Sequence, residues 1–188
     1  RQGLSQALHH ASHRSVFGKR LREQPLMKNV LADLALESEA ATALVLRLAR
    51  AFDQQDDPAE TSLRRLLTPA VKYWLCNRGP AFAAEAMEVL GGSGYVEESV
   101  MPRIYRQMPL NSIWEGSGNI ICLDVLHALS REPETAAALF AVLEVARGAY
   151  AALDRAIDKA KARLKTVTEP HARVLVEELA LALQGALL

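Results

Sequence analysis

From Leu26 to Phe52 an apolar side chain returns every third or fourth residue: Leu26, Met27, Val30, Leu31, Leu34, Ala41, Leu44, Val45, Leu48 and Phe52. Such spacing gathers these side chains on one face of an α-helix and would scatter them over both faces of a strand. The stretch therefore predicts one long amphipathic helix, with Pro25 in its first turn, where a missing N–H costs little. The same period governs most of the chain. Leu4, Ala7, Leu8 and Ala11 read as a helix entered midway, so the chain is expected to be a piece of a longer protein. Leu63, Leu66, Leu67, Ala70, Val71, Trp74 and Leu75 mark a helix beginning near Thr61. Pro80 is expected to interrupt or kink it before Phe82, Ala83, Ala86, Met87 and Leu90 resume the pattern. Tyr95 to Ser112 contain Pro102 and Pro109 and show little period, which predicts loop with short helical turns.

A further helix is expected to open at Glu115, with Ile120, Leu123, Leu126 and Leu129 inward. Arg131-Glu132-Pro133 is the best internal boundary, dividing the chain into 1–131 and 132–188. Beyond it, Leu139, Val142, Leu143, Ala146, Tyr150, Leu153, Ile157 and Leu164 suggest a single long helix. A last helix follows Thr168-Glu169-Pro170, a cap and a starting proline. These two would form a hairpin in need of a partner for its apolar face. No alternating strand pattern of useful length occurs. The fold class is all-α, an up-and-down helical bundle with an added C-terminal hairpin.

Composition narrows the function. Twenty-two basic residues balance twenty-two acidic ones among the 188, which gives no global pull toward nucleic acid or a membrane surface. No apolar run approaches the roughly 18 residues of a membrane span. Cys76 and Cys122 lack metal-ligand spacing and suit buried thiols of a reducing, cytoplasmic compartment better than a disulfide. His9 and His13 stand four apart, as zinc pairs do, but no Glu or Cys completes a site, so no metal is expected.

Three short segments carry chemistry. In Asn111-Ser112-Ile113-Trp114-Glu115-Gly116-Ser117-Gly118-Asn119 one carboxylate lies between an indole and a glycine-rich stretch. Burial against that ring would raise its proton affinity toward that of a general base. Read alone, Glu115 equally suits a helix N-terminus, where a carboxylate favours the dipole. Arg14-Ser15-Val16-Phe17-Gly18-Lys19 breaks a helix. Its Arg suits a pyrophosphate and its Phe an aromatic ring; a helix-ending Arg with a core Phe is the plainer alternative. Leu90-Gly91-Gly92-Ser93-Gly94-Tyr95 either ends a helix or brings backbone N–H groups up to a phosphate.

Taken together, the three segments resemble the Arg-x-x-Phe-Gly, Gly-Gly-x-Gly-Tyr/Phe and Glu-Gly-Thr motifs of acyl-CoA dehydrogenases. Their order and helical frames match the family's C-terminal helical domain, over roughly Gly3 to Leu129. Met101 to Asn119 and the segment after Glu132 further resemble the AidB-like, alkylation-response branch. That resemblance implies an FAD-dependent α,β-desaturation of an acyl-CoA substrate in the full-length protein, with Glu115 as catalytic base. It implies that Arg14, Phe17, Gly91, Gly92, Ser117 and Asn119 serve the cofactor, and that the assembly is a homotetramer, a dimer of dimers. Its flavin and acyl-CoA sites draw on domains without a counterpart here, so this chain alone should be inactive. Val16 stands where the family often has Thr, and Glu88 where it often has a cofactor-binding Gln. The branch also implies double-stranded DNA as a partner, with Arg155, Lys159 and Arg163 as contacts, although Asp154, Asp158 and Glu169 interrupt any basic strip. Two alternatives stay open: a DNA-binding flavoprotein with weak or no dehydrogenase activity, and a structural oligomerisation module.

Overall fold

The computed structural model describes residues 1–188. The chain is almost wholly helical, in the order α1 (Gln2–His13), a hairpin of β1 (Ser15–Val16) and β2 (Lys19–Arg20), α2 (Pro25–Asp53), α3 (Pro58–Val89), α4 (Gly92–Tyr95), α5 (Met101–Asn111), α6 (Gly118–Arg131), α7 (Pro133–Val145), α8 (Ala151–Leu164) and α9 (Ala172–Leu187). It divides into two compact units, residues 1–39 with 76–114 and residues 40–75 with 115–188.

The first unit packs Ala7, Ala11, Leu31, Leu34, Ala86, Val89 and Met101 into one core, with Phe82 and Ile104 at its edge. Small residues bring its helices together: a Cβ at Gly79 would lie 2.9 Å from Met108 Sδ. Glu37 and Arg78 pair through two hydrogen bonds across this unit.

The second unit has the larger core, built from Leu44, Leu63, Leu66, Trp74, Val125, Leu139, Leu143, Ile157, Leu175, Val176 and Leu183. Its buried polar groups are matched. Trp74 Nε1 donates to Gln184 Oε1 at 2.9 Å, and Arg173 Nε donates to Tyr73 Oη at 2.8 Å. The Arg47 guanidinium meets the Glu60 carboxylate in a two-bond fork of 2.7 and 2.8 Å. The apolar face expected to need a partner is covered within this unit, since α8 and α9 contribute Leu153, Ile157, Leu175 and Leu183 to the shared core. Burial lifts the Cys122 thiol to about 11, so it stays protonated at neutral pH.

Four expectations need correction. Pro80 does not interrupt α3, which runs unbroken from Pro58 to Val89; one lost backbone bond costs less than ending a helix whose residues line two cores. That helix starts at Pro58, where Asp57 Oδ1 accepts the Ala59 N–H at 2.8 Å. The stretch read as loop holds α5: Pro102 falls in its first turn, where no N–H is needed, and Pro109, near its end, removes only one backbone bond. The single helix expected after Pro133 is two, divided by a turn in which Gly148 has φ 87°.

Candidate functional site

Two residues other than glycine adopt positive φ, Phe17 at 51° and Glu115 at 54°. A left-handed L-residue costs about 1–2 kcal/mol, because its Cβ crowds the following carbonyl. Each is followed by a glycine of the same hand, Gly18 at 77° and Gly116 at 107°. The two strained positions thus coincide with the Phe and the Glu singled out in the sequence.

Glu115 lies in the turn between α5 and α6 and does not open a helix. Ser117 caps α6, and the first helical residue is Gly118. Ile121 N donates to Ser117 O at 3.0 Å. The N–H groups of Gly118, Asn119 and Ile120 precede the first intrahelical bond and face outward from the helix end. The Ser117 hydroxyl makes no cap bond, which leaves it available. Below the turn, the Lys72 ammonium donates to Gly116 O at 2.6 Å. Ile121 Cγ1 lies 3.1 Å from the position a Cβ on Gly116 would take. The enclosure expected from the indole is not found: Glu115 is exposed, and Trp114 is 56% exposed. Any desolvation of this carboxylate has to come from whatever covers the surface. Ser117 and Asn119 are exposed on the same short segment.

The Arg14 segment forms a two-residue hairpin with Ser15 opposite Arg20 and Val16 opposite Lys19. Positive φ at both central residues is what a type I′ turn requires. Leu21 N donates to Arg14 O at 2.8 Å, and Gln24 Nε2 to Val16 O at 3.0 Å, fixing the hairpin against the end of α1. Phe17 is not a core residue; it is 97% exposed. Arg14 is exposed too, and its guanidinium has no hydrogen-bonded or ionic partner. Burial lowers the pKa of His10, and the Arg14 charge lowers it further.

At the third motif Gly91 has φ 59° and turns the chain out of α3. Side chains built at Gly91 or Gly92 would meet nothing, so the backbone there is open to an approaching group. Gly94 is glycine for another reason: its Cβ would lie 2.4 Å from Met87 O.

The remaining candidates fare differently. His9 and His13 stack at 4.4 Å, and no group of three or more His, Cys, Asp or Glu able to hold a metal ion occurs. In the C-terminal hairpin, Lys159 and Arg163 both pair with Glu178, while Arg155 is exposed. Arg147 and Lys161 are likewise engaged by Glu144, and those two cations hold its carboxyl down at about 2. Sequence reasoning missed Lys72. The signal was there: it is the lone charge between Arg65 and Arg78, inside the run Val71-Lys72-Tyr73-Trp74.

The family described as acyl-CoA dehydrogenase, C-terminal domain, matches residues 1–130. The putative acyl-CoA dehydrogenase AidB of Escherichia coli K12 is 47% identical over 99% of this chain, which covers 34% of that protein. Acyl-CoA dehydrogenase family member 11 of Caenorhabditis elegans is 26% identical over 98% of the chain and 31% of its own length. The chain therefore spans about a third of the curated relatives it matches. Among solved structures, the apo form of Bd2924 superposes with a TM-score of 0.89 at 26% identity, over 99% of this chain and 37% of that one.

Proposed function

This chain belongs to the acyl-CoA dehydrogenase family, as its C-terminal helical domain, and from that premise we propose that the parent protein is an FAD-dependent acyl-CoA dehydrogenase whose base is Glu115. The observation that carries the proposal is the pair of left-handed residues. Strain of this kind persists where surrounding structure enforces it, and it concentrates at working sites. Here it selects Phe17 and Glu115, each within a family motif. The division into a family portion, 1–131, and an AidB-like extension, 132–188, belongs to the same reading.

The exposed groups suit the cofactor. Arg14 offers an unpaired planar fork to a pyrophosphate, and Phe17 a fully open aromatic face. Gly91 and Gly92 let backbone come close, and Ser117 and Asn119 offer polar groups beside a helix N-terminus. When bound, FAD supplies an acceptor for the hydride that leaves the substrate β-carbon. The task of Glu115 is to take the α-proton of the acyl-CoA, with the turn setting the direction in which its side chain leaves the backbone. The substrate and the rest of the parent would exclude water from that carboxylate.

A homotetramer is part of the proposal; Leu26, Leu36 and Leu46 leave exposed apolar surface on α2 for such an assembly. So is a cytoplasmic location; no helix is long and apolar enough to cross a membrane. Duplex DNA is not part of it, because Glu178 already engages Lys159 and Arg163. The test is to express the full-length parent, look for bound yellow flavin, and follow its bleaching by butanoyl-, octanoyl- and hexadecanoyl-CoA in the native protein and in Glu115→Gln. Loss of bleaching in the variant is expected; equal bleaching would remove Glu115 from its role.

A further inference from the structure

We infer that Lys72 of α3 is a positioning residue for the base: through its hydrogen bond to the Gly116 carbonyl it holds the Glu115–Gly116 turn in the conformation that presents the carboxylate. The inference rests on Glu115 being that base.

Two consecutive left-handed residues, at φ 54° and 107°, do not hold themselves. The glycine tolerates its conformation and the glutamate does not. Two restraints act on the turn from within its own unit. Ile121 packs against the vacant side of Gly116. Lys72 Nζ reaches Gly116 O at 2.6 Å, a charge-assisted bond placed one residue beyond the base. That carbonyl lies in the peptide that follows Gly116, so fixing the oxygen pins the chain immediately beyond Glu115 and limits how far the turn can open.

The anchor is itself rigid. Lys72 is half-buried, and its neighbours Val71, Tyr73 and Trp74 are buried. Tyr73 is bonded to Arg173 and Trp74 to Gln184, both on α9. The ammonium therefore does not wander as a surface lysine would. A misplacement of about 1 Å at a reacting group can cost on the order of a hundredfold in rate, so an anchor of this kind has something to protect.

The experiment uses the full-length parent with Lys72→Met and Lys72→Arg, beside Glu115→Gln. Amide hydrogen exchange is read over the peptide containing 113–121, without substrate. Lys72→Met is expected to speed exchange there by about tenfold while α9 stays as protected as before. The saturating rate of acyl-CoA bleaching should fall about a hundredfold with half-saturation little changed. Lys72→Arg, which keeps a cationic donor on a long stem, should recover most of both losses. Unchanged exchange in Lys72→Met would overturn the inference, and so would an Arg variant no better than Met. If Lys72→Met does not fold, Lys72→Gln is read by the same criteria. The exchange result stands whatever Glu115→Gln does, so a failed base and a failed anchor are told apart.

Discussion

At Phe17 and Gly18 the chain turns left-handed with nothing packed against the glycine; at Glu115 and Gly116 it does so over Ile121 and the ammonium of Lys72. The first turn is held by its hairpin and by the Gln24 bond to Val16 O, and its aromatic ring stands clear of the protein. The second is braced from below by a helix tied into the larger core. A group that grips a cofactor can be ordered by the cofactor itself. A group that must meet one particular proton has to be aimed beforehand, because each degree of misalignment slows the transfer. On the proposed function, one turn is completed by its ligand and the other by its own chain.

The strongest way to break that contrast is to separate chemistry from grip. Glu115→Gln in the parent should lower the bleaching rate by about 10²–10⁴-fold while flavin content stays near native. Loss of flavin along with rate would mean that the second turn is also a grip. Next in size is the glycine pair. Gly116→Ala forces a methyl against Ile121 at 3.1 Å in a backbone of φ 107°, and should cost about 2–3 kcal/mol, seen as a lowered thermal midpoint. Gly18→Ala meets open space at φ 77° and should cost about 1 kcal/mol. Equal costs would mean that Gly116 is no better braced than Gly18. Smaller again, Phe17→Ala removes one stacking face and should weaken flavin retention by about tenfold, leaving the bleaching rate of loaded protein nearly native.

Much of this was legible beforehand, for a physical reason: period 3.6 survives any sequence whose helices bury one face. Leu44, Leu66, Leu139 and Leu175 read as inward and are core; α6 departs from its expected face, burying Ile121, Cys122, Val125 and Ala128 while Ile120 is exposed. Prolines misled twice, because Pro80, Pro102 and Pro109 were weighed as breakers without regard to position. At the first turn, as for Pro102, the missing N–H is harmless; Pro109 and Pro80 each remove one backbone bond, a loss that the packing of α5 and α3 outweighs. The apolar ladder through Val142, Ala146, Tyr150 and Leu153 hid the turn at Gly148, since the chain resumes on the same buried side. At the site, the motifs pointed to Glu115 and Phe17, but no pattern in the sequence shows that both are left-handed. That follows from the glycine after each and from contacts such as the one Lys72 makes, which joins residues 44 apart in the chain.

The smallest expected effect bears most directly on what the first turn is for. Asn tolerates positive φ better than Phe, and Asn-Gly is the pair a type I′ hairpin favours. Phe17→Asn therefore relieves strain without disturbing the Ser15–Arg20 register, and no packing is lost, because the ring is 97% exposed. If folding alone chose this residue, the variant would be the better protein in every respect. The expected outcome is a gain of about 1 kcal/mol, a rise of about 1 °C in the thermal midpoint of the flavin-free parent. The same change should leave the flavin more weakly held. A phenylalanine kept in an unfavourable conformation, with no contact of its own, is explained by that opposition between stability and binding; a stabilised variant that binds flavin as well as the native protein would leave the ring without a purpose.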